Sequence, residues 1–104
     1  MRIFHLALPD EWSHAQETGD YRMSTRGVTL EQEGFIHCSL EHQVEPVRQA
    51  FYVDVPEILL LTIDTERLTS PWQYDEVPGG ETFPHIYGPL NLDAVVDLSL
   101  IGIG

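Results

Sequence analysis

The chain predicts a small α+β fold, a single domain over residues 1–104. Three observations predict it. A length of 104 residues suits one hydrophobic core and is too short for two. Short apolar or alternating runs bounded by Pro, Gly and Asp recur from end to end. Between them, residues 10–18 and 40–52 carry helical spacing and helix-end signals.

Residues 3–8 are apolar apart from His5 and stop at Pro9, which reads as an opening strand. Asp10 is placed to cap a two-turn helix carrying Trp12, Ala15 and Gln16, with Gly19 as its stop. Residues 20–33 show no clear period and read as a loop in which Thr29 caps one turn over residues 30–33. Residues 35–39 return to strand character. Leu40, Val44, Val47 and Phe51 then fall on one helical face. Pro46 tolerates only a first helical turn, so the helix proper is expected from Val44 or Glu45, with residues 40–43 forming a separate turn. The apolar run 57–64 reads as the central strand, covered on both faces. Residues 72–77 form a further strand, Pro78-Gly79-Gly80 a turn, residues 83–87 an extended segment and residues 94–101 the closing strand.

Seventeen acidic residues stand against five Arg and no Lys, a formal net charge of -12. Such a field repels phosphate backbones, so nucleic acid is not an expected partner. A single cysteine, Cys38, allows no internal disulfide and no multi-cysteine zinc pattern. The first apolar run is too short for a signal-peptide core and no window approaches a membrane span, so a cytoplasmic protein is expected, with no membrane partner.

The side chains of greatest chemical interest sit on three predicted strands. Alternation puts Phe35, His37 and Ser39 on one face, with Ile36 and Cys38 on the other. The same rule groups His5 with Ile3 and Ala7, and His85 with Phe83 and Tyr87. If the strands are neighbours, His5, His37, Ser39, His85 and Tyr87 line one polar cleft walled by aromatics, the usual make-up of a small-molecule site. His37 and Cys38 are adjacent and point apart, which argues against a cysteine nucleophile based on His37. In Phe83-Pro84-His85-Ile86-Tyr87-Gly88-Pro89-Leu90, two prolines and a glycine stiffen the backbone around a His and a Tyr. Of the carboxylates flanking the Pro78-Gly79-Gly80 turn, Asp75, Glu76 and Glu81, Glu76 is the preferred acid. The catalytic candidates are thus His37, His85, Glu76 and Ser39. The candidate ligand-gripping residues are His5, Tyr87, Trp72 and Phe35. No sequence-local metal-ligand spacing occurs, although His5, His37 and His85 with Glu76 or Glu81 would have the chemistry for a metal.

Gly34-Phe35-Ile36-His37-Cys38-Ser39 and Phe83-Pro84-His85-Ile86-Tyr87-Gly88-Pro89-Leu90 resemble the two signature segments of the family called domain of unknown function 952. The opening Ile3-Phe4-His5-Leu6, Trp12, Gly19, the apolar strand 59–64 and the Trp72…Glu76 pair follow that family's order, so the resemblance covers nearly the whole chain. It implies an ADP-ribosyltransferase-like fold: a mixed, split β-sheet with two to three helices, its two sheet portions forming a cleft for NAD. It also implies that His5 holds a nicotinamide ribose, Ser39 supports it and Glu76 stabilises a developing positive charge. The chain departs from such transferases in having Leu6-Ala7 after His5 and no late Glu-x-Glu. Three functional readings follow: an NAD- or nucleotide-handling transferase-like enzyme with a small-molecule ligand, a non-catalytic module binding a small metabolite or peptide, or a metal-dependent hydrolase.

Overall fold

The computed structural model describes residues 1–102; the last two residues of the expected 1–104 span lie outside them. Strand β1 (Arg2–Ala7) leads into helix α1 (Pro9–Thr18). The helix begins two residues earlier than a cap at Asp10 implies, with Leu8 at the cap position. Pro9 needs no partner for a backbone N–H and suits a first position, and the Glu11 carboxylate accepts the Leu8 N–H at 3.2 Å, so Glu11 takes the capping role. Gly19, at φ 102, closes the helix by donating its N–H to the Ala15 carbonyl at 2.8 Å.

Residues 20–33 contain more regular structure than the loop expected there. Strands β2 (Asp20–Tyr21), β3 (Met23–Thr25) and β4 (Val28–Thr29) precede helix α2 (Leu30–Glu33), which Thr29 caps by accepting the Gln32 N–H. Strands of two or three residues are too short to print a period. Strand β5 (Ile36–His37) follows, then a 3₁₀ turn (Glu41–Gln43) and helix α3 (Val44–Phe51), with Pro46 in its first turn as its ring geometry requires. The remaining strands are β6 (Glu57–Asp64), β7 (Trp72–Glu76), β8 (Thr82–Ile86), β9 (Leu90–Asn91) and β10 (Val95–Gly102).

The strands form several small sheets. One has the order β1-β6-β10, a second β5-β8-β7, and two-stranded pairs join β2 to β9 and β3 to β4. Every strand pairing among the described residues is antiparallel, whereas a mixed sheet was expected. The two three-stranded sheets are stitched at one point, where Phe4 and Ser39 exchange backbone hydrogen bonds of 2.8 and 2.7 Å. The architecture is α+β, with three α-helices among the described residues and a Cα radius of gyration of 12.6 Å.

β6 is the middle strand of its sheet and feeds cores on both faces. Leu61 and Ile63, fully buried, join Ile3, Ala7, Trp12, Tyr21, Ile36 and Leu90 on one side. Ile58 joins Leu6, Val47, Tyr52 and Phe83 on the other. Each fully buried Ile or Leu contributes roughly 1.5–3 kcal/mol of transfer free energy, so this continuous run anchors the fold. Among the described residues no helix is long and apolar enough to cross a membrane.

Candidate functional site

In the β5-β8-β7 sheet the register aligns His37 with His85 and His85 with Gln73. Side chains that alternate along these strands place His37, His85, Gln73 and Asp75 on one face, with Phe83 beside them. Ile36, Ile86, Trp72, Tyr74 and Glu76 belong to the other. The expected alternation in residues 35–39 is observed: Cys38 is fully buried in the core cluster, and burial pushes its thiol well above the usual range, so it is an inert packing residue.

The polar face carries a continuous hydrogen-bonded chain. Asp75 Oδ2 lies 2.8 Å from His85 Nδ1, and His85 Nε2 lies 3.2 Å from His37 Nδ1. The Tyr87 hydroxyl donates to the same Asp75 oxygen, and Gln73 donates to the other at 2.7 Å. These donors hold the Asp75 carboxyl below the usual carboxylate range, the Tyr87 bond being the largest cause. Gly88 lets the chain turn after Tyr87. At φ 156 it passes so close to Ser70 that an added Cβ would lie 2.5 Å from the Ser70 hydroxyl oxygen. Phe35 stacks on His85, with ring centroids 3.9 Å apart and planes at 14°, and His85 is 97% covered from solvent by its surroundings, being only 3% exposed.

For a neutral His85, the chemistry of the partners sets the tautomers. An ionised carboxylate only accepts, so His85 donates through Nδ1 and presents Nε2 as a lone pair. His37 must then donate through Nδ1, which leaves its own Nε2 without a proton. Among the described residues that nitrogen has no hydrogen-bond partner, and His37 itself is only partly buried. Desolvation by burial, the largest cause, lowers the His37 pKa to about 4 and keeps the ring neutral at physiological pH.

His5 is differently placed. It is 3% exposed, with Nδ1 2.6 Å from the His37 carbonyl and Nε2 2.8 Å from the Tyr21 hydroxyl. Since a carbonyl only accepts, His5 donates through Nδ1 and accepts from Tyr21. Both nitrogens are used, and burial lowers its pKa to about 4. His5 therefore braces the backbone that carries His37.

Two adjoining hollows border His37. The outer, of about 130 Å³, is lined by Ser24, Thr25, Glu33, Phe35, His37 and Phe51. The inner, of about 10 Å³, is bounded by His5, Ser24, His37, Ser39 and Tyr52 among others. A larger hollow of about 490 Å³ lies elsewhere, along α1 and β3, with Asp10, Glu11, His14, Asp20, Arg22 and Glu31 on its walls. Its arginine is already paired with Asp20 and Glu31, and the His37–His85–Asp75 chain does not touch it. The smaller hollows have less room and all of the organised chemistry.

Of the residues singled out from the sequence, His37, His85, Phe35 and Tyr87 come together, and Ser39 joins them on the wall of the inner hollow. Glu76 and Trp72 lie on the opposite strand face, Trp72 edge-on to Tyr74 with centroids 5.3 Å apart. The carboxylate that reaches the histidines is Asp75, because in β7 only Gln73 and Asp75 share the His85 face. Trp72 and Tyr74 mark the other face as the aromatic one, and that signal was available in the sequence. Ser24 and Tyr21 lie in the segment read as loop and gave none. Among the described residues no three His, Cys, Asp or Glu side chains are grouped to hold a metal ion.

Fold and site define a small antiparallel α+β protein with a part-buried carboxylate–histidine–histidine chain opening on a cleft at the seam of two sheets. The chain belongs to the family described as Protein of unknown function (DUF952), whose model matches residues 6–98. Among solved structures it is similar to the crystal structure of protein CC0527 from Caulobacter crescentus, at 24% identity and a TM-score of 0.87, covering 100% of this chain and 89% of that one. The solution NMR structure of CC0527 is similar at 24% identity and a TM-score of 0.81, covering 99% and 86%. These likenesses concern the fold. No curated protein matches the sequence.

Proposed function

We propose that the domain is a small-molecule enzyme in which His37 is a general base, with Asp75 and His85 as positioning residues. One observation carries this reading: the chain Asp75–His85–His37 ends in an imidazole that lines a cleft and whose Nε2 has no hydrogen-bond partner among the described residues. A base must have a free lone pair, a fixed orientation and access to its substrate, and a carboxylate behind a histidine supplies the first two. Here the orientation passes through a second histidine.

The cleft favours neutral or cationic ligands. Neither hollow beside His37 is lined by arginine, Glu33 lies at the outer one, and the chain carries a net charge of -12. Phe35 and the half-exposed Phe51 offer apolar walls. An NAD or other nucleotide ligand would bring phosphates toward Glu33, and the nearby Arg26 guanidinium, bonded to the Phe51 carbonyl, is already paired with Asp54. The nucleotide-handling, ADP-ribosyltransferase-like reading also needs a late acid, and Glu76 faces away. A non-catalytic binder has no comparable use for a base held in one tautomer.

The test is a pair of NMR titrations on the isotope-labelled chain, with benzamide as a neutral ring-sized probe and NAD as the nucleotide. Benzamide is expected to shift His37, Phe35 and Phe51 at millimolar concentration while NAD leaves them in place. Shifts of those residues by NAD alone would replace this reading with the nucleotide one.

A further inference from the structure

The inner hollow holds the one feature that a bare base does not explain. Ser24 is 1% exposed, and its hydroxyl oxygen is sealed and has no hydrogen-bond partner. A buried, unpaired hydroxyl is destabilising, and native interiors satisfy such groups with protein atoms or bound water. The hollow it borders, about 10 Å³, is at the size of a single water molecule and has polar neighbours in His37, Ser39 and Tyr52. Ser24, Thr25 and His37 also line the outer cleft, so the two spaces share a wall.

We propose that the inner hollow seats one water oxygen between Ser24 and His37, and that the domain hydrolyses a neutral, ring-sized acyl compound held in the outer cleft. The inference rests on His37 being a general base. His37 Nε2 takes a proton from the water as its oxygen bonds to the acyl carbon. The carbonyl electron pair moves to oxygen and then returns as the bond to the leaving group breaks. The leaving group departs with the proton that His37 gives back. Water and acyl compound thus become a carboxylic acid and an alcohol or amine, with no other reactant.

The substrate class follows from what surrounds the base. A cavity of ~150 Å³ accepts a benzene ring, so the outer cleft, about 130 Å³, admits one ring-sized group. Acetal cleavage calls for two carboxyl groups flanking the bond, whereas Asp75 is committed to His85 and Tyr87 and Glu76 lies on the other face. A phosphoester would approach Glu33 with no arginine on the wall. An acyl carbon needs a positioned water and a base, and both fit here.

The test combines a high-resolution crystal structure of the full chain with hydrolysis of phenyl acetate in ¹⁸O-labelled water. An ordered oxygen is expected within hydrogen-bonding distance of the Ser24 hydroxyl. Phenyl acetate should turn over at least ~100-fold faster than with free imidazole at equal concentration. The label should enter acetate, His37→Gln should abolish the rate, and Ser24→Ala should lower it about tenfold with its fold kept, as read by circular dichroism. A dry inner hollow, or a Ser24→Ala rate equal to wild type, overturns the water seat while loss in His37→Gln still upholds the base. Absence of turnover overturns the acyl assignment, and the benzamide titration independently decides whether the cleft reading survives.

Discussion

His5 and His37 meet at one hydrogen bond, share a pKa lowered to about 4 by burial, and differ in everything that matters for chemistry. The region around His5 is closed. Tyr21 and the His37 carbonyl use both ring nitrogens, and the ring sits in the layer of Ile3, Ala7 and Leu61. The region around His37 is open at one atom. A perturbed pKa therefore does not by itself mark a functional histidine; the distinguishing feature is a lone pair left over after every partner has been counted.

Acid should strain both regions at once and give the largest effect. Each of the two rings has a folded-state pKa below that of the unfolded chain, so the unfolded state binds protons more readily between pH 6.5 and about 4. Stability is fully present above that window and is lost as pH falls through it, by about 2.5 kcal/mol per histidine at pH 4.5. Urea unfolding at pH 7.5 and pH 4.5 measures this, and equal midpoints would show that neither ring is held neutral by burial.

His5→Leu should separate the regions. It strands the Tyr21 hydroxyl and the His37 carbonyl in the interior and should cost about 3 kcal/mol in chemical denaturation. His37→Gln should cost far less while removing activity. A reversed order would assign the structural role to His37.

Asp75→Asn should leave the fold nearly unchanged, because Asp75 is at the solvent side of the chain. A side-chain amide can either donate to or accept from His85 Nδ1, so both tautomers of His85 become populated and His37 Nε2 is bare only part of the time. Phenyl acetate turnover should drop about tenfold, with little change in KM. Tyr87→Phe is the smallest step, removing one donor from Asp75 at a half-exposed site. It should change stability by less than about 1 kcal/mol and raise the Asp75 pKa, visible in its carboxyl ¹³C titration.

The α+β class, the central strand 57–64, the Gly19 stop, the Thr29 cap and the split of residues 40–51 into a turn and a helix were all legible, because each rests on local propensity or period. The face shared by Phe35 and His37 was legible for the same reason. Three features were not. The β2–β4 strands are too short to show alternation, so Tyr21 and Ser24 went unnoticed. Antiparallel pairing throughout depends on which strands become neighbours, and that is a tertiary outcome. The choice between Asp75 and Glu76 turned on one residue of register, which sends a side chain to one face or the other.

The most direct measurement is a long-range ¹H–¹⁵N correlation spectrum of the histidine rings in the full chain at pH 7. His37 should be neutral, protonated at Nδ1 and bare at Nε2. A His37 ring protonated at Nε2, or charged, would contradict the account, since the atom assigned as the base would have no lone pair to offer.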